Sequence, residues 1–280
     1  MGNNPFTHRI VLVGMLMTLA GTWAYGLETT AGLREVSTGD EHYFVREING
    51  KEQKNGPYTK FHENGQKLME GNYSEGRKEG KWSYWSDDGK CIKEESYLDG
   101  KKHGQWSEWY FNGKKRFEME YRDDKPVGTR QEWHMDGSRK SETVYTHNGN
   151  DLSAVQTGWY TNGKQESRAE YVNGRLNGVE TRWYPNGQKK SEFHYQNGQR
   201  NGRCEEWHDN GKPKSADTFV LGKKTGRSTE WFENGQKKSE GSYDSGKQGL
   251  WTFYDQTGKI ERQIRYRNGL VMPDDDKTDE

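Results

Sequence analysis

The chain has 280 residues, of which 28% are hydrophobic and 31% charged, and its 43 basic residues balance 43 acidic ones. Leu, Ile, Val and Phe make up only about 13% of it, under the ~20% at which composition begins to suggest disorder, so an aliphatic globular core is excluded. Disorder itself would need high net charge and few aromatics, which 11 Trp, 16 Tyr and 9 Phe contradict, and the neutral balance lacks the basic footprint of a nucleic-acid binder.

At the N-terminus, His8 and Arg9 precede an uncharged run from Ile10 to Tyr25. Its 16 residues fall short of the ~20 a membrane-spanning helix needs, and Ala24 and Gly26 supply small residues for a cleavage site. Residues 1–26 therefore read as a signal peptide that directs the chain out of the cytoplasm, to the periplasm or the exterior. The alternative is an uncleaved N-terminal anchor with the same topology. Residues 27–55 read as a linker, to about residue 40, followed by a strand at His42–Ile48 that caps what comes next.

From Gly56 onward the chain repeats. Starting glycines stand at Gly56, Gly80, Gly104, Gly128, Gly178, Gly202, Gly226 and Gly249, with Ala154 in the fifth place, and the common spacing is 24 residues. Five residues after each start comes an aromatic: Phe61, Trp85, Trp109, Trp133, Trp159, Trp183, Trp207, Trp231 and Tyr254. Nine after each start comes a glycine, preceded in eight of nine copies by Asn or Asp. Asn-Gly is the strongest short hairpin signal, because both central residues of a type I′ turn need positive φ. A second aromatic column, Tyr73 through Tyr266, lies 17 residues after each start, and alternation along the strand leading to it (Ser191, Phe193, Tyr195) marks one buried face.

Each repeat is thus a hairpin, and since a lone hairpin is barely stable, stacking of neighbours must bury the aromatic columns. The expected fold is all-β: an elongated antiparallel β-hairpin repeat sheet of nine units over residues 56–271, with the Trp column as the structural core. Cys91 and Cys204, in the second and seventh repeats, then lie too far apart for a disulfide, whose Cα atoms must approach within ~7 Å. Repeats such as Gly80-Lys-Trp82-Ser-Tyr-Trp85-Ser-Asp-Asp88-Gly89 resemble the MORN-variant repeat of bacterial proteins labelled as toxin–antitoxin components of the YwqK type. The resemblance implies a β-hairpin repeat used for binding, commonly without enzymatic activity.

Departures from the repeat point to candidate sites. The residue after the Trp is His62, Tyr110, His134, Tyr160, Tyr184, His208 or Phe232 in seven repeats; by alternation it faces away from the Trp, and either covers Lys and Glu stems or forms an exposed platform for stacking on a partner or a sugar. A second aromatic, two residues after the start, stands only near the ends (Tyr58, Trp82, Trp106, Trp251), where it reads as end-capping; Arg130, Gln156, Glu180, Cys204 and Ser228 replace it in the middle, where the rival reading is a concave binding face. Residues 146–157 carry two extra residues and suggest a bulge or kink. The histidines are separated by several strands, so a metal site is not expected, and neither a catalytic motif nor a cofactor-binding loop is present. The acidic tail, 272–280, reads as disordered. The function expected is that of an exported, non-enzymatic, monomeric scaffold that binds a protein. The alternatives are an antitoxin or immunity protein and a binder of cell-wall carbohydrate or a membrane surface.

Overall fold

A computed structural model describes residues 32–273; the expected signal segment and all but the first two residues of the acidic tail lie outside that range. Among the described residues every regular element is a strand and every pairing is antiparallel. The chain forms two compact units divided after Gly137.

The first unit holds β1 (Arg34–Ser37), β2 (Glu41–Ile48), β3 (Lys51–Phe61), β4 (Lys67–Ser74), β5 (Arg77–Trp85), β6 (Cys91–Leu98), β7 (Lys101–Lys102), β8 (Gly104–Trp109), β9 (Lys115–Arg122) and β10 (Lys125–Trp133). Each pairs with its neighbour in sequence, except that β7 and β8 are two pieces of one strand lying against β6. The second unit holds β11 (Arg139–Asn148), β12 (Asp151–Trp159), β13 (Gln165–Val172), β14 (Arg175–Trp183), β15 (Lys189–Gln196), β16 (Gln199–Trp207), β17 (Pro213–Val220), β18 (Lys223–Trp231), β19 (Lys237–Tyr243), β20 (Lys247–Tyr254), β21 (Ile260–Arg267) and β22 (Leu270–Val271), again a meander.

The hairpins form where the glycines place them, but the turn types are exchanged relative to expectation. At the Asn-Gly turn only the glycine has positive φ: Gly65 at 81°, with its N–H on the His62 carbonyl and the His62 N–H on the Gln66 carbonyl. This is a type I turn closed by a left-handed glycine, and the pairing slips by one residue between Lys60 and Phe61, a G1 bulge. The two-residue type I′ geometry falls instead at the closing turn, for instance Glu75 (φ 48°) and Gly76 (φ 76°) between paired Ser74 and Arg77.

Each repeat also begins with a wider irregularity. Glu70 pairs with Ser83 while Asn72 pairs with Glu79, so β5 carries two more residues than the stretch of β4 it faces, around Gly80. Residues 146–157 differ, though not by a bulge or kink. Here β11 pairs with β12 without a register shift from Asn148 and Asp151 to Ser141 and Gly158. The two extra residues lengthen the shorter strand by the amount its partner elsewhere exceeds it. Ala154, whose Cβ disfavours the positive φ of a starting glycine, therefore sits in regular strand.

Ahead of the repeats, His42–Ile48 lies within β2, and Arg34–Ser37, read from sequence as linker, is a strand on its edge. Val36, 7% exposed, supplies the apolar contact, and four residues are too few to reveal it by periodicity.

Candidate binding surface

The deepest row of the sheet is not the Trp column five residues after each start. Phe61, Trp85, Trp109, Trp133, Trp159, Trp183, Trp207, Trp231 and Tyr254 are all half-buried. The buried row lies three residues earlier: Tyr58, Trp82 and Trp106 in the first unit, with Trp82 wholly buried, and Cys204, Ser228 and Trp251 in the second. The bulge at the starting glycine lays each of its indoles across the preceding strand, where the Tyr column meets it. The ring centroid of Trp82 is 4.9 Å from that of Tyr73, Trp106 is 5.5 Å from Tyr97, and Trp251 is 5.2 Å from Tyr243. Each indole N–H donates to a strand carbonyl, Trp82 to Asn72 at 3.2 Å. A lysine ammonium closes the stack from outside, Lys78 at 4.4 Å from Trp82 and Lys247 at 4.4 Å from Trp251. This row is core, which corrects its reading as end-capping.

The expected platform is spent on joining repeats. His62 Nε2 donates to the Trp85 carbonyl at 2.9 Å, Tyr110 to that of Trp133 at 2.8 Å, Tyr160 to Trp183 at 2.7 Å, Tyr184 to Trp207 at 2.9 Å and His208 to Trp231 at 3.1 Å. His134 and Phe232 are half-buried like the others. Two residues further on, the Asn amide makes a parallel clasp: Asn64 reaches the Asp87 carbonyl at 2.7 Å and Asn186 that of Asp209 at 2.7 Å. The Oδ1 of the same Asn accepts the N–H two residues ahead, as Asn64 does from Gln66 at 3.0 Å. The Trp column serves these clasps as backbone acceptor, and its rings carry cations: Lys67 lies 5.9 Å from the Trp85 centroid, Arg139 4.9 Å from Trp159 and Lys189 5.1 Å from Trp207.

Buried carboxylates stand beside this row in the first unit and within it in the second. In the first unit the Glu95 carboxylate, 3% exposed, accepts hydroxyls from Tyr84 at 2.7 Å and Tyr97 at 2.9 Å and an ammonium from Lys93, with Lys78 at 3.6 Å. Burial pushes this carboxyl up, but the hydrogen bonds outweigh it and hold the group below the usual range, while burial and that carboxylate push both tyrosines up. In the second unit Glu180 takes the Arg182 guanidinium at 2.7 Å and the Tyr195 hydroxyl at 3.1 Å.

The second unit also opens a groove of about 1030 Å³ on this face. It lies along the stretch where Cys204 and Ser228 stand in place of indoles, and Arg200, Asp217, Phe219, Lys224, Glu230 and Lys238 are among its lining residues. Lys224 pairs with Asp217 at 2.9 Å and Lys214 with Glu206 at 3.0 Å. Arg200 stacks 4.1 Å from the Phe193 centroid. Sequence reasoning singled out the polar residues of this row but not Arg200, Lys214, Lys224 and Lys238, whose only signal is a cation recurring at fixed places in some of the repeats. Both cysteines are free thiols, and burial pushes both up. Among the described residues no group of three or more His, Cys, Asp or Glu is placed to hold a metal ion.

Six segments, residues 54–75, 102–123, 176–197, 200–220, 224–245 and 247–268, match the family model described as MORN repeat variant, which supports a MORN-repeat protein. No curated protein matches the chain. Among solved structures, one titled "Crystal Structure of TcdB2-TccC3-Cdc42" is similar at 12% identity, covering 88% of this chain and 15% of that one, with a TM-score of 0.20. The chain thus spans less than a sixth of that structure's own length, and a likeness at this score carries no argument.

Proposed function

We propose that this MORN-repeat chain is an exported scaffold that acts by binding a protein partner and not by catalysis, and that contact is made along the groove of the second unit. The observation that carries the reading is that groove: an open channel of about 1030 Å³ in which cations and glutamates recur at the repeat spacing beside Phe219 and Phe232. The half-buried aromatics that would otherwise be the natural contacts already bind backbone carbonyls of the next repeat. Many weak, similar contacts along an extended partner suit a surface whose chemistry recurs once per repeat.

Capture from native cell-envelope extract, with the full chain as bait, tests the reading. One stoichiometric protein should be retained by the natural chain and lost with Lys224→Glu combined with Lys238→Glu. Retention on liposomes or isolated cell wall without any protein would instead establish a surface binder. A toxin as the retained protein would establish the immunity role that the YwqK resemblance implies. Export is tested separately, by fractionation with and without residues 1–26.

A further inference from the structure

The repeat pairs its cations with acids in two ways, and one place in the second unit lacks both. A cation twelve residues after a repeat's start faces a glutamate four after it: Lys214 meets Glu206 at 3.0 Å, Lys238 meets Glu230 at 3.8 Å, and in the first unit Arg116 meets Glu108 at 3.3 Å. In the sixth repeat the cation is Lys190, but the glutamate is replaced by Arg182, which turns to Glu180. The second pairing is that of Lys224 with Asp217 at 2.9 Å. One repeat earlier the cation is Arg200 and the acid is replaced by Phe193, on whose ring the guanidinium stacks.

Lys190 and Arg200 consequently have no carboxylate partner among the described residues; Lys190 lies 5.5 Å from the Tyr184 ring, and the Arg200 guanidinium lies 4.1 Å from the Phe193 ring. Both line a single pocket of about 350 Å³, together with Ser191 and Tyr195. The pocket holds four cations, Arg182, Lys190, Arg200 and Lys214, against two carboxylates, Glu180 and Glu206, each already paired. Two positive charges are left over. An Arg held against an aromatic ring keeps its fork of donors oriented for an oxyanion at low entropic cost.

We propose that this pocket receives the carboxylates of an acidic peptide segment, an inference that rests on the protein-binding reading and supplies the partner's chemistry. Arg200, Glu206 and Lys214 line both this pocket and the larger groove, so the two cavities adjoin. A lone small anion has no use for that length, whereas an extended chain fills it and places acidic side chains at its cationic end. The paired Glu180 and Glu206 in the wall also disfavour a compact dianion such as phosphate, which would crowd its charge against them.

The test uses the purified full chain and a short fluorescent peptide of alternating Glu and Ser, followed by anisotropy, with the same peptide carrying Gln as control. The Glu peptide should bind, the Gln peptide should not, and binding should weaken as salt rises. Arg200→Gln and Lys190→Gln should each weaken it by about tenfold or more, and Lys223→Gln, outside both cavities, should leave it unchanged. Lys190 is exposed, so its variant keeps the test decisive should the Arg200 variant fail to fold. Equal binding of both peptides, or unchanged binding in the Lys190 variant, overturns the proposal; so does displacement by inorganic phosphate at concentrations where acetate has no effect. The titration needs no natural partner, so peptide binding without envelope capture would refute the scaffold reading and leave the site standing.

Discussion

Gly71→Ala tests the packing of the buried row most directly. Gly71 lies opposite Trp82, and a Cβ built on it would sit 2.3 Å from Cδ2, 2.4 Å from Cε2 and 2.7 Å from Cγ of the indole. Carbon atoms in contact sit ~3.5–4.0 Å apart, so the ring must retreat by more than an ångström. It has nowhere to go: Trp82 is fully buried, its centroid is 5.6 Å from Tyr58 and 4.9 Å from Tyr73, and its N–H is committed to Asn72. Overpacking costs ~1–3 kcal/mol and the strained hydrogen bond ~1 kcal/mol, so a loss of about 2–4 kcal/mol is expected. Gly80→Ala is the control. Nothing lies within 4 Å of its Cβ, but its φ is +67°, so it pays only the left-handed backbone penalty of ~1–2 kcal/mol. Trp82→Ala should cost ~3–5 kcal/mol, and adding Gly71→Ala to it should cost little more, because the methyl then enters vacated space. Urea denaturation followed by far-UV circular dichroism reads all four variants. Additive losses in the double variant, or a Gly71→Ala loss below that of Gly80→Ala, would refute the packing argument.

Trp183→Ala removes a half-buried ring and should cost about 1–2 kcal/mol, well under the ~3–5 kcal/mol of a buried aromatic; a loss equal to that of Trp82→Ala in the same denaturation assay would contradict the assignment of the core row. Asn186→Asp deletes the donor to the Asp209 carbonyl and should cost about 1 kcal/mol, seen as faster amide exchange in the neighbouring turns. Glu240 accepts hydrogen bonds from Tyr254 at 2.6 Å, Arg227 at 2.8 Å and Lys237 at 3.0 Å, and these outweigh its partial burial and lower its carboxyl to about 2. Its folded value lies below its unfolded one, ~4.3, so its stabilisation is full above that value and is lost as pH falls toward 2. The destabilisation of Glu240→Gln relative to the natural chain should therefore shrink between pH 5 and pH 2 in thermal melts, and a constant difference would refute the assignment.

The hairpin repeat, its all-β class and the Tyr column were legible because turn glycines and strand alternation are local properties that recur at each copy. The buried row was not, because invariance was read as burial. The residue at Trp85 and Trp109 is aromatic in every copy, yet its carbonyl accepts a clasp, as that of Trp85 does from His62, and its ring carries a cation where Lys67 lies over it. The core position two residues after the start varies from Trp82 to Cys204 to Ser228, since each indole, thiol or hydroxyl is matched to its own cross-strand neighbour: Gly71 makes room for Trp82, and Asp217 accepts from Ser228 at 2.6 Å. The turn types were exchanged for a related reason. Asn64 is selected for both ends of its amide, not for tolerance of positive φ, and a single-residue rule cannot see an acceptor 23 positions away. Arg200 and Lys190 emerge only when each repeat is compared with the next in space, because what distinguishes them is a missing partner.

The clasps all run forward, from one repeat to the backbone of the one that follows, as from Asn210 to Glu233 and from Asn234 to Gln256. The ninth repeat ends that direction. Asp255 stands where most others have His or Tyr and accepts the N–H groups of Thr257 and Lys259, and Thr257 stands where the others have Asn or Asp and donates its hydroxyl to Asp255. The turn is closed upon itself, as the second repeat's is through Ser86 and Asp88. Duplicating any 24-residue stretch bounded by Asn turns leaves each amide with a carbonyl to meet, so the array can lengthen or shorten from within.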